Sequence, residues 1–181
     1  CIDVRHEQAA AMMAQAYSRL RQKPGFCMAA SGPATINLTT GLANALIDCC
    51  PVVALGGASP MLGNGKQVFQ EIDQMEIMSG CVKYAARIYD ARRIPEMLNV
   101  AIQKAMSGKP GPVYLDLPGD TLYQMVDEDA IDWSQSGRTI LNARPPAPEA
   151  QIEELVAALG KAERPVLLTG SGIIWSQAWE E

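Results

Sequence analysis

The sequence predicts an α/β fold with a mainly parallel sheet, because helical and strand patterns alternate along most of its 181 residues. Two short apolar runs, at 26–30 and 52–55, have the unbroken hydrophobicity of strands that are covered on both faces. Helical patterns, with apolar residues three and four positions apart, precede and separate these runs. A strand, a helix and a further strand in this order are typical of parallel sheets, because parallel neighbours need a crossover connection.

Proline and glycine residues limit the predicted elements. The Lys23-Pro24-Gly25 stretch breaks the first helix, and Pro51 ends the second. The predicted helices are at 7–21, 35–50, 69–78, 94–106 and 149–159, the last capped by Gly160. The predicted strands are at 2–4, 26–30, 52–55, 82–89, 113–117 and 165–169. The face of the first helix that is expected to point inward carries Ala10, Met13, Ala14, Tyr17 and Leu20.

A proline-rich stretch at 144–148 is the best candidate for a domain boundary. We therefore expect one domain over 1–125, a linker over 126–148 and the start of a second domain over 149–181. The first residues read as a strand already under way, and the last as the first turns of a helix. On this reading the sequence is expected to be part of a larger enzyme.

Composition and charge exclude several classes of protein. Fifteen Lys and Arg against twenty Asp and Glu give a net charge of −5, so no basic face for nucleic acid is expected. No apolar stretch is long enough for a membrane span or a signal segment. His6 is the single histidine, and no metal site is predicted in this chain. Five cysteines without a CxxC pair indicate buried, reduced thiols and a cytoplasmic location.

Two turns that join a predicted strand to a predicted helix carry candidate binding residues. Glu7 lies at the first of them, where ligands bind parallel sheets, although an acid at a helix start is also favoured by the helix dipole alone. Residues 31–37 form the second, where backbone amides at a helix start can receive the polar edge of a ligand. The alternative for this second segment is a tight turn with a structural role.

Two further segments are weaker candidates. Residues 69–74 place polar side chains beside Phe69 after a glycine-bearing loop, which is typical of a site wall but also of an exposed helix start. Gly170 and Gly172 follow a predicted strand, which is a weak signal for a nucleotide-binding loop. His6 beside Glu7 is more often structural than catalytic, although a histidine can titrate near neutral pH.

Taken together, these segments resemble the thiamine diphosphate-dependent enzymes of the superfamily that includes acetolactate synthase, oxalyl-CoA decarboxylase and 2-hydroxyacyl-CoA lyase. The resembling stretches follow one another in the order found in that superfamily, and they cover nearly the whole chain. They are residues 5–10, 23–27, 31–33 with Asn37, 69–71 and 108–118. Each motif alone is modest, whereas the ordered set is specific.

The resemblance implies a flavodoxin-like pyrimidine-binding domain, incomplete at its N-terminus, followed by the beginning of a Rossmann-like central domain. It places the catalytic acid at Glu7, which would bind the aminopyrimidine ring of thiamine diphosphate and promote its imino tautomer. Pro33 and Asn37 would lie beside that ring, and we expect burial at a subunit interface to raise the pKa of Glu7.

The resemblance also assigns Phe69 and Gln70 to the substrate side of a neighbouring subunit's site, with a catalytic role for Gln70. It implies a homodimer or homotetramer in which a domain outside this chain holds the diphosphate and Mg²⁺. It further implies ADP, in CoA-using members, at a position matching Gly170 and Gly172.

The implied activity is the cleavage or formation of a C–C bond next to a carbonyl group, with an acyl-CoA or a 2-oxo acid as substrate. The motifs look most similar to 2-hydroxyacyl-CoA lyases, with oxalyl-CoA decarboxylase and acetolactate synthase as alternatives. Two alternatives without chemistry stay open: a nucleotide-binding module and an assembly subunit that keeps the fold.

Overall fold

The structure is a computed structural model that describes residues 1–135 and 146–179. The chain divides into two compact units, Cys1–Leu141 and Asn142–Glu181. Part of the predicted linker at 126–148 lies outside the described residues, so its bounds stay a prediction. In the first unit the strands are β1 (Gly25–Ala29), β2 (Val52–Ala58), β3 (Tyr84–Arg87) and β4 (Val113–Pro118). Its helices are α1 (Glu7–Arg21), α2 (Pro33–Ile36), α3 (Thr39–Ile47), α4 (Gln74–Ser79), α5 (Ile94–Met106) and α6 (Gly119–Leu122).

The four strands form one parallel sheet in the order β1-β2-β4-β3, so the predicted α/β class is confirmed. Val53 and Leu115 point from the middle of this sheet toward α5, where they pack with Ala101 and Ala105. Burying each large aliphatic side chain stabilises the fold by about 1.5–3 kcal/mol. This core therefore holds α5 on the strands β2 and β4.

Helix α1 packs against both β1 and α3, and two glycines, one in β1 and one in α3, allow this close approach. A Cβ at Gly25 would lie 2.0 Å from the carbonyl oxygen of Ala14, and a Cβ at Gly41 would lie 2.5 Å from the Cβ of Ala11. Because only glycine fits at such distances, α1 lies directly against both β1 and α3. The first residue of α1 is thereby fixed beside the turn that follows β1.

The strand β1 is not covered on both faces, contrary to the expectation for its apolar run. Phe26 and Met28 are 50% and 61% exposed, and they alternate with buried residues. The physical reason is that β1 lies at the edge of the sheet, whereas the core built around α5 covers β2 and β4.

Several predicted elements of the first unit differ in their presence or their bounds. Residues 2–4 do not form a strand, the helix predicted at 35–50 is divided into α2 and α3, and the helix predicted at 69–78 begins only at Gln74. The face of α1 was also predicted wrongly in part. Ala14 is buried as expected, but Met13, Tyr17 and Leu20 are exposed, and the helix buries Ala11, Ala14, Gln15 and Ser18 instead.

In the second unit the described residues contain α7 (Glu149–Lys161) and α8 (Gly172–Ser176). Helix α7 runs through Gly160 and is capped at Ala162, so the predicted cap at Gly160 is wrong. The strand predicted at 165–169 is not formed. In the part of the chain that the structure describes, none of the helices combines the length and apolarity that crossing a bilayer requires.

Candidate functional site

The carboxyl ends of the parallel strands meet at one edge of the sheet, where ligands commonly bind in α/β proteins. The turn at 30–32 follows β1, the loop at 59–73 follows β2, and Arg87 is the last residue of β3. The predicted site residues of the first unit therefore belong to this edge or to the helix start beside it.

Glu7 and Asn37 are in direct contact. Glu7 is the first residue of α1 and is half-buried, and Asn37 ends α2. The Asn37 Nδ2 donates a hydrogen bond to Glu7 Oε2 at 3.0 Å. The structure thus brings together a carboxylate and an amide that are thirty residues apart in the sequence.

In this chain the pKa of Glu7 is lowered, so the expected rise is not found. The hydrogen bond from Asn37 is the largest cause, and it favours the charged form of the carboxyl over the neutral form. Burial works in the opposite direction but is the smaller effect, because the side chain is only partly covered. The carboxylate is therefore ionised at neutral pH.

The turn that precedes Pro33 needs a glycine. Gly32 has a positive φ of 64°, and a Cβ at this position would lie 2.7 Å from the carbonyl oxygen of Gln70. Pro33 then begins α2, where its fixed φ suits the first helical position. The turn and the loop that carries Gln70 are consequently in backbone contact.

Gln70 is bound to this turn, whereas Phe69 is not. The Ser31 Oγ donates to Gln70 Oε1 at 2.6 Å, and Gln70 itself has a left-handed backbone with φ of 59°. Non-glycine residues in this conformation are uncommon and are concentrated at functional sites. The side chain of Phe69 is 85% exposed in this chain, so its role as a pocket wall stays a prediction.

The loop after β2 encloses a cavity of about 450 Å³ beside Gln70. Its lining includes Ser59, Met61, Asn64, Gln70, Asp73 and Arg87. Glu71 fixes the loop, because its carboxylate accepts hydrogen bonds from the backbone N–H groups of Gly65 and Val68 at 2.5 and 3.0 Å. The Gly65 bond is the largest cause that lowers the pKa of Glu71.

A buried polar network below the site was missed by the sequence analysis. Gln74 Nε2 lies 2.7 Å from the carbonyl oxygen of Gly57, 2.8 Å from Tyr114 Oη and 2.6 Å from Asp116 Oδ1. Gln74 Oε1 accepts from the backbone N–H of Gly32 at 3.0 Å. One signal was present, because strand alternation places Tyr114 and Asp116 on the same face of a buried strand. A buried acid there needs partners.

Arg87, the last residue of the edge strand β3, completes this network. Its Nε donates to Asp116 Oδ2 at 2.5 Å, and its side chain is 25% exposed at the cavity, whereas Asp116 is fully buried. Tyr114 donates to the other oxygen of Asp116 at 2.5 Å. Burial, followed by the charge of Asp116, raises the pKa of Tyr114 well above its ordinary value, which keeps its hydroxyl protonated as a donor.

Gly170 and Gly172 lie in the second unit, on either side of Ser171 at the start of α8. A Cβ at either glycine would meet no atom within 4 Å, so nothing in this unit requires glycine there. The strand expected before them is not formed, and their role in binding a nucleotide stays a prediction. Among residues 1–135 and 146–179, no cluster of three His, Cys, Asp or Glu residues could hold a metal ion.

Comparison with known proteins gives a family match over the part of the chain that carries Glu7, Pro33, Asn37 and Gln70. Residues 1–77 match the family described as thiamine pyrophosphate enzyme, N-terminal TPP binding domain. The cofactor in this name is thiamine diphosphate under its older name.

Curated relatives match nearly the whole chain. The acetolactate synthase isozyme 2 large subunit of Escherichia coli is 38% identical over 176 residues, which cover 96% of this chain and 31% of that protein. A probable acetolactate synthase large subunit of Methanococcus aeolicus is 38% identical over 178 residues, covering 98% of this chain and 30% of the relative. The 2-hydroxyacyl-CoA lyase of Arabidopsis thaliana is 34% identical over 183 residues, covering 97% and 31%.

The chain therefore spans about a third of the length of these relatives, and it aligns with one part of each. The match to the family model includes the start of α1 and the turn after β1, where the carboxylate and the amide meet. We conclude from these matches that the chain belongs to the superfamily of thiamine pyrophosphate-dependent enzymes.

Proposed function

We propose that this chain supplies the pyrimidine-binding side of an enzyme that uses thiamine diphosphate to form or cleave a C–C bond next to a carbonyl group. The observation that carries the proposal is the contact between Glu7 and Asn37 beside the carboxyl edge of the sheet. A carboxyl at this place can exchange a proton with a ring nitrogen, which is the step that this cofactor requires from a protein.

The donor set fits the pyrimidine half of the cofactor. Glu7 offers a carboxyl group at the start of a helix, where the dipole favours the ionised form, and the amide of Asn37 fixes its orientation. Pro33 is exposed at the start of α2, the short helix that ends at Asn37, and presents a rigid apolar ring there. When bound, thiamine diphosphate supplies the carbon nucleophile that adds to the carbonyl group of the substrate.

The residues of the chain then have separate tasks. Glu7 holds or releases a proton at the ring nitrogen, and Asn37 keeps one carboxylate oxygen engaged so that the other can face the ring. Gln70 is proposed to hydrogen-bond a substrate oxygen on the substrate side of a neighbouring subunit's site, which is supported by its position in the lining of the cavity of about 450 Å³ and by its hydrogen bond from Ser31. Phe69 is proposed to cover the substrate side of a neighbouring subunit's site.

The remaining parts of the proposal concern groups that bind elsewhere. We propose that the diphosphate and Mg²⁺ are held by another domain, which faces this one across the interface of a homodimer or homotetramer. Mass measurement of the assembled protein and a test of the Mg²⁺ requirement for cofactor binding check both points. A titration with ADP, on protein with and without substitutions at Gly170 and Gly172, tests the nucleotide proposal.

Two substrate classes are supported by different relatives. The acetolactate synthases favour a 2-oxo acid, and the 2-hydroxyacyl-CoA lyase favours a 2-hydroxyacyl-CoA that is cleaved to formyl-CoA and an aldehyde or ketone. We propose the second, as the resemblance of residues 69–75 suggests. A parallel assay with pyruvate and with 2-hydroxyacyl-CoA decides between them, because each activity consumes only one of the two substrates.

The role of Glu7 is tested by the Glu7→Gln variant of the complete natural protein. We expect the variant to bind thiamine diphosphate, but to exchange the C2 proton of the bound cofactor about 10²–10⁴ times more slowly, which is the usual contribution of a positioned acid or base. NMR-detected exchange in deuterium oxide measures this rate. The Glu76→Gln variant is the control, because Glu76 is an exposed acid in the first turn of α4. Unchanged exchange and turnover in Glu7→Gln would refute the proposed role.

A further inference from the structure

We propose that Gln74 is a positioning residue of the candidate pyrimidine site, which fixes the Gly32 turn and, through that turn, the Asn37 side chain that holds Glu7. This inference rests on the proposed function, because it assigns a task to Gln74 at the same site. Gln74 is not assigned a contact with the ligand, because its side chain reaches the turn only through a hydrogen bond with the backbone N–H of Gly32.

Gln74 is buried to 1% exposure, although it is a polar residue in the first turn of a six-residue helix. Its amide group contacts three neighbouring segments of the sheet: the turn after β1 at Gly32, the end of β2 at Gly57, and β4 at Tyr114 and Asp116. A buried amide without partners would be costly, so the native position of Gln74 requires all of these neighbours in place. The side chain therefore fixes the spacing of the strand ends.

The bond to Gly32 is transmitted to Asn37 through a short and stiff segment. Pro33 has a fixed φ, the backbone N–H of Ile36 donates to the carbonyl oxygen of Gly32 at 3.1 Å, and that of Asn37 donates to Pro33 at 3.0 Å. The Thr35 Oγ1 also donates to the carbonyl oxygen of Ala30 at 2.7 Å, on the other side of the turn. A rotation of the Gly32 peptide is therefore expected to move Asn37 as part of the same unit.

The same turn also holds Gln70. The Ser31 Oγ donates to Gln70 Oε1, and Gly32 is packed so closely on Gln70 that a Cβ would lie 2.7–2.8 Å from it. Gln74 thus lies beneath both groups of candidate residues: the Glu7 and Asn37 pair, and the substrate-side Gln70. A shift of the turn would change the distance of each from a bound ligand.

A glutamine is the side chain that suits this place. The Gly32 N–H needs an acceptor, whereas the carbonyl oxygen of Gly57 and the Asp116 carboxylate need donors, and an amide supplies both. A leucine has a similar size but supplies neither. A glutamate would place a second carboxyl group beside Asp116 and would lose the donor.

The test compares Gln74→Leu with Met78→Leu in the complete natural protein. Met78 is fully buried on the same helix and makes no bond to the turn, so its variant controls for a general disturbance of α4. Hydrogen exchange is followed by mass spectrometry on peptides that span residues 30–37. The affinity for thiamine diphosphate and the C2 exchange rate of the bound cofactor are measured on the same samples.

For Gln74→Leu we expect amide exchange in residues 30–37 to rise about tenfold, as the loss of one hydrogen bond predicts. We expect the C2 exchange rate to fall by about tenfold or more, because a misplaced catalytic group loses rate steeply with distance. Met78→Leu should change both quantities by less than about twofold.

Other results would overturn the inference. Unchanged amide exchange in Gln74→Leu would show that the turn does not depend on Gln74. A rise in amide exchange with unchanged C2 exchange and cofactor affinity would show a merely structural role. If the wild-type protein does not bind thiamine diphosphate, the proposed function fails, and the positioning role fails with it.

If Gln74→Leu does not fold, amide exchange of the wild-type protein still tests the bond between Gln74 and the Gly32 turn. The Gly32 amide follows the end of β1, where amides usually exchange rapidly, but its N–H is bonded to a fully buried side chain. We expect this amide to be among the slowest to exchange in residues 30–37. Exchange as fast as that of the exposed loop at 64–67 would overturn the inference.

Discussion

Removal of the Arg87 guanidinium is expected to destabilise the sheet strongly, because Asp116 would then be a buried carboxylate without its cation. Asp116 is fully buried, and Arg87 is three-quarters buried. Breaking a buried ion pair by removing one partner commonly costs about 3–5 kcal/mol. Asp116 keeps the bonds from Gln74 and Tyr114, so we expect the lower end, about 3 kcal/mol, for Arg87→Gln.

The assay is urea denaturation of the protein, followed by circular dichroism, with the free energy of unfolding extrapolated to water. A loss of 3 kcal/mol corresponds to a decrease of about 10 °C in melting temperature for a unit of this size. Arg92→Gln is the control, since Arg92 forms a similar pair with Asp90 on the surface. Exposed pairs contribute little to stability because water screens them, so this variant should remain close to the wild type.

A double variant separates the pair from other effects of Arg87. If Asp116→Asn is combined with Arg87→Gln, no buried charge remains, and the double variant should be more stable than the sum of the two single losses predicts. A loss below about 0.5 kcal/mol in Arg87→Gln, or additive losses in the double variant, would refute the view that the pair is one coupled unit.

Two further predictions concern titration and thiol reactivity. The hydrogen bond from Asn37 lowers the pKa of Glu7 below 4.5, so this carboxylate should stabilise the folded chain above about pH 4.5. That stability should be lost as the pH falls through the lowered pKa. An Asn37→Leu variant should raise the midpoint of Glu7 in an NMR titration, and an unchanged midpoint would contradict this cause. Burial raises the pKa of Cys27 to about 12, so this thiol should resist alkylation at pH 8 until the protein unfolds. The partly exposed Cys81 should react in the folded state. Mass spectrometry measures both alkylation rates, and equal rates for Cys27 and Cys81 would count against the described burial of Cys27.

The periodic elements of the first unit could be predicted well from the sequence. Helix α5 has the predicted bounds, because a proline in its first turn and a break after Met106 mark both ends. Strand β2 is longer than predicted and continues through Gly56 and Gly57 to Ala58. The glycine pair indicates a stop in isolation, but pairing with β4 over the same residues extends the strand. Tertiary pairing therefore overrode a local signal.

The site could be predicted only in part. Asn37 is recognisable because it ends the short helix α2, which directly follows the turn after β1. Glu7 is recognisable from its place at the start of α1 and from the resemblance, although the strand predicted before it at 2–4 is not formed. Gln74 could not be found in the same way, because its partners Gly32 and Asp116 are forty-two residues away on either side. A polar residue at a short helix start reads as exposed, and its burial depends on contacts that no local pattern contains.

The position of the network has a consequence for how the two halves of the site can vary. It joins the ends of all four strands, from the turn after β1, through Gly57 and Asp116, to Arg87. The position of the Glu7 and Asn37 pair is therefore fixed relative to the sheet, through the Gly32 turn. The cavity wall is held differently, because Glu71 binds backbone amides within its own loop. Substitutions in the loop at 59–68 can thus reshape the substrate side while the carboxylate that serves the cofactor stays in place, which is the arrangement expected where one cofactor serves several substrates.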